Sequence, residues 1–198
     1  MTGRIVPERF SAADRWTGVL RQSLGAGYTV IEEGLNGRTT CLDDPVEGKH
    51  KNGLSFLPAV LETHAPFDLL VIKLGTNDLK YRLSMQPDDI ADGAGLLVDL
   101  AKRSTSGPGN RPPAVLLVAP APLAELTWLA GMFAGGIEKS RRLGAEMARV
   151  AKDREVAFLD AGSVIVSSPV DGIHLDRSEH HKLGTAITGL VPKILGHA

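Results

Sequence analysis

Four short apolar runs punctuate the chain: YTVIEEG (28–34), LLVIKLG (69–75), AVLLVAP (114–120) and VAFLD (156–160). They are rich in branched residues, lack the in–out alternation of a half-solvated strand, and each leads into a turn, which predicts strands buried on both faces. Between them, apolar positions recur at three- and four-residue spacing. That period predicts helices over roughly 13–24, 55–64, 87–103, 135–153 and 178–195. Strand and helix alternate, so the pattern as a whole predicts an α/β protein with a parallel sheet and helices on both faces. STSGPGNRPP (104–113) reads as a loop before a strand, and no repeat or low-complexity tract divides the chain.

Composition narrows the picture without changing it. With 198 residues, 43% of them hydrophobic, the chain can fill one sizeable core, and residues 1–198 are expected to form a single domain. The formal net charge is −1, and no run of like charge is long enough to suggest a tail for a polyanion. Neither a nucleic acid nor a membrane is expected as a partner. Cys41 is the only cysteine, which excludes an intramolecular disulfide and a cysteine-based zinc site. No stretch approaches the ~20 apolar residues of a membrane span, and MTGRIVPERF lacks the basic-then-apolar plan of a signal peptide. The expected location is cytoplasmic.

In open α/β sheets ligands bind beyond the carboxyl ends of the strands. Three segments at such positions combine glycine with small polar residues: GLNGRTT (34–40), GTNDLK (75–80) and VDGIHLD (170–176). In the last, Asp171 and His174 stand three apart. An aspartate bonded to one imidazole nitrogen fixes the tautomer and leaves the other nitrogen free to take a proton from a hydroxyl. The Asn77 amide and the Gly37 N–H are donors suited to a developing oxyanion. Each has a structural reading as well: a turn or cap for Asp171 and His174, a helix cap for Asn77 or Asp78, a left-handed turn at Asn36-Gly37. HLDRSEHH (174–181) offers His174, Asp176, Glu179, His180 and His181 as metal ligands, but capping and a solvated helix face account for them better. Trp16 falls on the apolar face of the first helix. Trp128 lies in the long apolar connection 119–133, as a pocket wall or a subunit contact.

Taken together, the NG of EEGLNGRTT, the GTND and the DGIH, in this order after successive strands, resemble three conserved blocks of the SGNH hydrolases, also called GDSL-like esterases. DRWTGVL, AGGIEKS and AFLDAGSV extend the resemblance to the bacterial arylesterase and acyltransferase branch over nearly the whole chain. The resemblance implies a three-layer α/β/α flavodoxin-like fold and Ser-Asp-His catalysis. His174 would be the general base, Asp171 its orienting carboxylate, and the Gly37 N–H and Asn77 amide two of three oxyanion donors. It further implies a small ester substrate, an acyl-serine intermediate released to water or to an alcohol, no metal or organic cofactor, and a homo-oligomer built through the 119–133 connection.

The family's first block, a strand ending in Gly-Asp-Ser-Leu, is not found in the 198 residues. MTGRIVPERFSAADRW corresponds to the loop that follows that block. Ser11 lies in this loop with no Gly-Asp before it, and Ser163 belongs to a stretch that is structural support in the family. In a flavodoxin-like order 2-1-3-4-5 the first strand is internal, so its loss would open a slot between two strand edges. The expectation is a chain that begins downstream of the true start, with the nucleophile outside these residues. The alternatives are a fragment, or a slot filled by another segment or subunit. Functionally, the alternatives are an inactive binding module and an oligomeric scaffold.

Overall fold

The computed structural model describes residues 9–196. In chain order the elements are α1 (Trp16–Leu24), α2 (Gly53–His64), β1 (Leu69–Ile72), α3 (Pro87–Arg103), β2 (Ala114–Ala119), α4 (Gly136–Asp153), β3 (Ala157–Asp160), α5 (Arg177–Thr188) and α6 (Val191–Leu195). The three strands are parallel in the order β1-β2-β3, with Leu69 opposite Ala114 and Leu116 opposite Ala157.

β2 is the middle strand, and its unbroken apolar run supplies both faces. Val115, Leu117 and Ala119 enter one layer with Leu57 and Leu61 of α2, Ile90, Leu97 and Val98 of α3, and Leu143, Met147 and Val150 of α4. Leu116 and Val118 enter the opposite layer with Leu20 of α1, Leu183 and Ile187 of α5, and Val191 of α6. The expected three-layer α/β/α arrangement is therefore what forms.

Local chemistry explains the element boundaries. α3 opens on Pro87, whose missing N–H is no loss in a first turn, and the Asp89 carboxylate accepts the Gln86 N–H at 3.0 Å. Lys102 and Arg103 close the same helix against its dipole. The single helix expected over 178–195 is instead two. Pro192 cannot sit in a continuous helix, because its ring collides with the carbonyl four residues back, so α5 stops at Thr188 and α6 restarts at Val191.

The expected first strand, 28–34, requires a larger correction. The segment is extended, and its burial alternates: Tyr28, Val30 and Glu32 are half-buried, while Thr29, Ile31 and Glu33 are exposed. Tyr28 and Val30 pack in the same layer as Leu69 and Val71 of β1. Yet the segment belongs to no ladder, and among the described residues nothing pairs with the second edge of β1. Hydrophobic burial needs only a surface, whereas a ladder needs a neighbouring backbone. Side chains hold the segment instead: Arg21 donates to the Val30 carbonyl at 2.9 Å, Arg38 to the Glu33 carbonyl at 2.5 Å, and Arg15 pairs with Glu32 at 2.8 Å. Of the stretch read as a loop at the chain's beginning, residues 1–8 lie outside the described residues, as does most of the segment weighed as a signal peptide. No described helix is long and apolar enough to cross a membrane.

Candidate active site

The turn after β3 is built around one carboxylate. Asp171 is buried, and its Oδ1 accepts the backbone N–H groups of Ile173 at 2.8 Å and His174 at 2.9 Å. Its Oδ2 meets His174 Nδ1 at 2.6 Å. Burial by itself would push the Asp171 carboxyl up, but the hydrogen bonds from the His174 ring and from the two backbone N–H groups outweigh it and hold the acid below its ordinary range. With Nδ1 engaged, the imidazole is oriented and its side chain is 54% exposed, so Nε2 is available to a reacting group.

The turn is closed upon itself and docked onto the segment after β2. Ser168 N–H donates to the His174 carbonyl at 2.7 Å, and Ser168 Oγ to Asp176 at 2.8 Å. Ala124 N–H donates to the Gly172 carbonyl at 2.9 Å and Thr127 Oγ1 to the Val170 carbonyl at 3.0 Å. Gly172 has φ +82°, and a side chain there would run into the Glu125 carbonyl, so the close approach depends on glycine.

The second half of the site joins the segments after 28–33 and after β1. Asn77 opens a 3₁₀ turn, and its Nδ2 donates to the Arg38 carbonyl at 3.1 Å. The neighbouring Gly37 is buried with φ +83°, and the space a side chain would need is occupied by a Glu47 carboxylate oxygen. The Gly37 N–H has no acceptor among the described residues. Hence Asn77, with its second amide hydrogen, and Gly37 present two donors from adjoining loops.

A charge-neutral cluster, buried at Asp44 and Lys80 and half-buried at Glu47 and Arg82, braces the loop that carries Gly37. Asp44 Oδ2 accepts Lys80 Nζ at 2.9 Å and an Arg82 nitrogen at 2.6 Å, and Glu47 Oε1 accepts the same two cations at 2.7 and 2.9 Å. Asp44 Oδ1 also takes the N–H groups of Val46 and Glu47. Burial would raise the Asp44 carboxyl; Arg82, Lys80 and these N–H groups reverse that and hold it far below its usual range. Lys51 Nζ donates to the Asn36 carbonyl at 2.5 Å, and Asn52 caps α2 by accepting the N–H groups of Leu54 and Ser55.

Sequence reasoning thus named four residues, and the fold brings them together as two bonded or neighbouring pairs, Asp171 with His174 and Gly37 with Asn77. No hydrogen bond joins the pairs among the described residues. Both include segments that follow strands of the parallel sheet, Asn77 after β1 and Asp171 with His174 after β3, and Ala124 of the segment after β2 donates to the Gly172 carbonyl at 2.9 Å. Ser11 and Ser163 are engaged elsewhere. Ser11 Oγ donates to Asp14 at 2.8 Å before α1, and Ser163 Oγ to the Asp160 carbonyl at 2.7 Å. The side chains considered for a metal diverge: His174 turns to Asp171, Glu179 takes Val166 N–H and Lys182, and His180 Nδ1 accepts Trp16 N–H at 3.3 Å. Trp16 packs on the second core layer, and Trp128 is 64% exposed. What the motifs did not reveal is the bracing: the Asp44–Lys80 cluster and a bond between Thr40 and Asp78 tie residues 36 to 38 positions apart. The only signal for them was several charged or hydroxyl residues just beyond two glycine turns.

A parallel α/β/α sheet with its polar rim at the strand carboxyl ends is the architecture of a broad class of hydrolases. Comparison with known proteins makes the assignment narrower. The model of the GDSL-like Lipase/Acylhydrolase family matches residues 2–182. The native aryl esterase of M. smegmatis superposes with TM-score 0.90 at 45% identity, over 95% of this chain and 89% of that one. A carbohydrate acetylesterase from Sinorhizobium meliloti gives TM-score 0.89 at 43% identity, over 93% and 87% of the two chains. A further carbohydrate acetylesterase family member from the same organism gives 0.89 at 39% identity, over 95% and 90%. A comparison with curated proteins returns no match. The chain belongs to the GDSL-like lipase/acylhydrolase family, a family of carboxylic-ester hydrolases.

Proposed function

We propose that the protein is a serine esterase acting on short-chain or aryl esters through an acyl-enzyme, with transfer of the acyl group to alcohols as a second outcome. The observation that carries this reading is the 2.6 Å contact between His174 Nδ1 and a buried Asp171 whose other oxygen is already saturated by backbone donors. In the proposed reaction His174 Nε2 takes the proton of a serine hydroxyl as that oxygen attacks the ester carbonyl. Gly37 N–H and the free Asn77 N–H hold the oxyanion, and the imidazolium returns its proton to the departing alkoxide or phenolate. Water or an alcohol, deprotonated by the same imidazole, then releases the acyl group. The named activities of the similar structures, an aryl esterase and carbohydrate acetylesterases, support a small ester.

We infer that the nucleophile lies on a strand along the edge of β1 that has no partner among the described residues. Such a strand would run between the 28–33 segment and β1 and end between Gly37 and Asn77, where a serine oxygen would face both donors. The test compares hydrolysis of 4-nitrophenyl acetate by this chain alone and by the same chain supplied with a strand ending in Gly-Asp-Ser. Activity that depends on the strand and is abolished by His174→Ala supports the reading. No hydrolysis in either case overturns it in favour of a binding module. Fluorophosphonate labelling of Ser11 would overturn the placement of the nucleophile.

A homo-oligomer is part of the same reading. Tyr81, Trp128 and Val170 are 60–70% exposed, apart from small differences, at 70%, 64% and 61%, and Tyr81 and Val170 are both bonded to the 127–132 stretch. Sedimentation of the parent and of Trp128→Ser tests it, a parent monomer counting against it. A cytoplasmic location also belongs to the proposal, supported by a single half-buried free cysteine.

A further inference from the structure

Asp78 stands next to Asn77 in the same 3₁₀ turn and is completely buried. Its Oδ1 accepts two bonds from one residue of the neighbouring loop, the Thr40 N–H at 2.8 Å and the Thr40 hydroxyl at 2.6 Å. Its Oδ2 is buried with no partner. A carboxylate oxygen left unsatisfied in the interior is costly, and a purely structural tie between two loops could be made by an uncharged pair. Thr40 is itself completely buried and lies three residues after Gly37, and Asn77 bonds the Arg38 carbonyl between them. The turn after β1 therefore grips the Gly37 loop at two successive points, through Asn77 on Arg38 and through Asp78 on Thr40.

We propose that Asp78, acting through Thr40, is the positioning residue that sets the spacing of the Gly37 N–H and the Asn77 amide. This rests on the esterase reading for its catalytic consequence but not for its geometry. An oxyanion moves little once formed, so two donors on separate loops are useful only if their separation is held by something other than the substrate. The Asn77–Arg38 bond alone leaves the loop free to pivot; a second bond two residues on removes that freedom. Burial pushes the Asp78 carboxyl up, while the Thr40 donors and the nearby Lys80 charge pull it back only in part.

The experiment has two readouts. In ¹⁵N-labelled protein, the Gly37 amide and Asn77 side-chain amide resonances should shift or broaden in Thr40→Val, which loses the hydroxyl but keeps the shape, and in Asp78→Ala. They should stay in place in Thr40→Ser, and Asp78→Asn, which keeps an accepting oxygen, should restore them. In the hydrolytically competent protein, Thr40→Val and Asp78→Ala should lower kcat by about 10–100-fold with KM little changed, the range expected when a reacting group is misplaced. The double variant should be no worse than the poorer single one. Unmoved resonances in folded Thr40→Val, or a fall in melting temperature with kcat unchanged, would overturn the proposal. Shifted resonances in a protein that hydrolyses no ester would instead overturn the esterase reading and leave the positioning role standing.

Discussion

The Asn77 amide has two hydrogens, and the fold uses one of them, on the Arg38 carbonyl at 3.1 Å. The other is what an oxyanion would require. Replacing Asn77 by alanine is therefore expected to lower kcat for ester hydrolysis on the order of 10²–10³-fold with a small effect on KM, read from steady-state kinetics. His180 makes a different prediction, about pH. It accepts Trp16 N–H, lies edge-on to Phe10 at 5.4 Å between ring centroids, and is held neutral by burial and by the charges of Lys73, His181 and Arg15. Its pKa falls from 6.5 to about 4. Between those values the unfolded chain binds a proton that the folded chain refuses, so stability decreases as pH falls from 6.5 towards 4, and this contribution levels off below 4. Melting temperatures across that range should fall less steeply in His180→Gln than in the parent; parallel curves would refute this.

At the scale of elements, β1 and the 28–33 segment carry the unusual feature. Among the described residues, β2 is hydrogen-bonded on both sides and β1 on one. In this chain every second amide of β1, those facing away from β2, and the amides of Thr29 to Glu33 should exchange with solvent much faster than those of β2. A strand seated between the two segments would slow both sets together. Hydrogen exchange followed residue by residue measures this directly, and uniform protection across β1 would show that its second edge is covered. The helices illustrate why boundaries are legible where chemistry is local. The spacing predicted a helix over roughly 87–103, and the structure starts and stops it at Pro87 and Arg103, where Pro87, Asp89 and the closing Lys102-Arg103 mark its ends, whereas the 178–195 pattern continued through Pro192 although the backbone could not.

For the whole molecule, the near balance of 22 basic and 23 acidic residues is repeated on a small scale inside it. Asp44, Glu47, Lys80 and Arg82 form a cluster of zero net charge, with Asp44 1% and Lys80 2% exposed. Such a cluster adds little compared with apolar packing, but removing the Asp44 charge leaves buried Lys80 and half-buried Arg82 to share one carboxylate, Glu47. Asp44→Asn should cost about 1–3 kcal/mol in urea unfolding, through weakened charge-assisted bonds to Lys80 and Arg82, seen as a lower midpoint at unchanged slope. Because the cluster holds Glu47 against Gly37, the same substitution should loosen the loop ahead of global unfolding.

From the sequence alone came the fold class, three strands in the sheet, most helix spans and the pairing of Asp171 with His174, because each depends on contacts within a few residues or on a hydrophobic period. The site roles of Gly37 and Asn77 came from the resemblance carried by GLNGRTT and GTNDLK; taken locally, each reads as a turn or a helix cap. Whether a run such as YTVIEEG becomes a strand depends on a partner backbone, and that is a tertiary fact. So are the Thr40–Asp78 bond and the Asp44–Lys80 cluster, which join residues 38 and 36 positions apart. Nothing in either partner's neighbourhood announces such a bond: it exists only because a parallel sheet brings the ends of its strands to one rim.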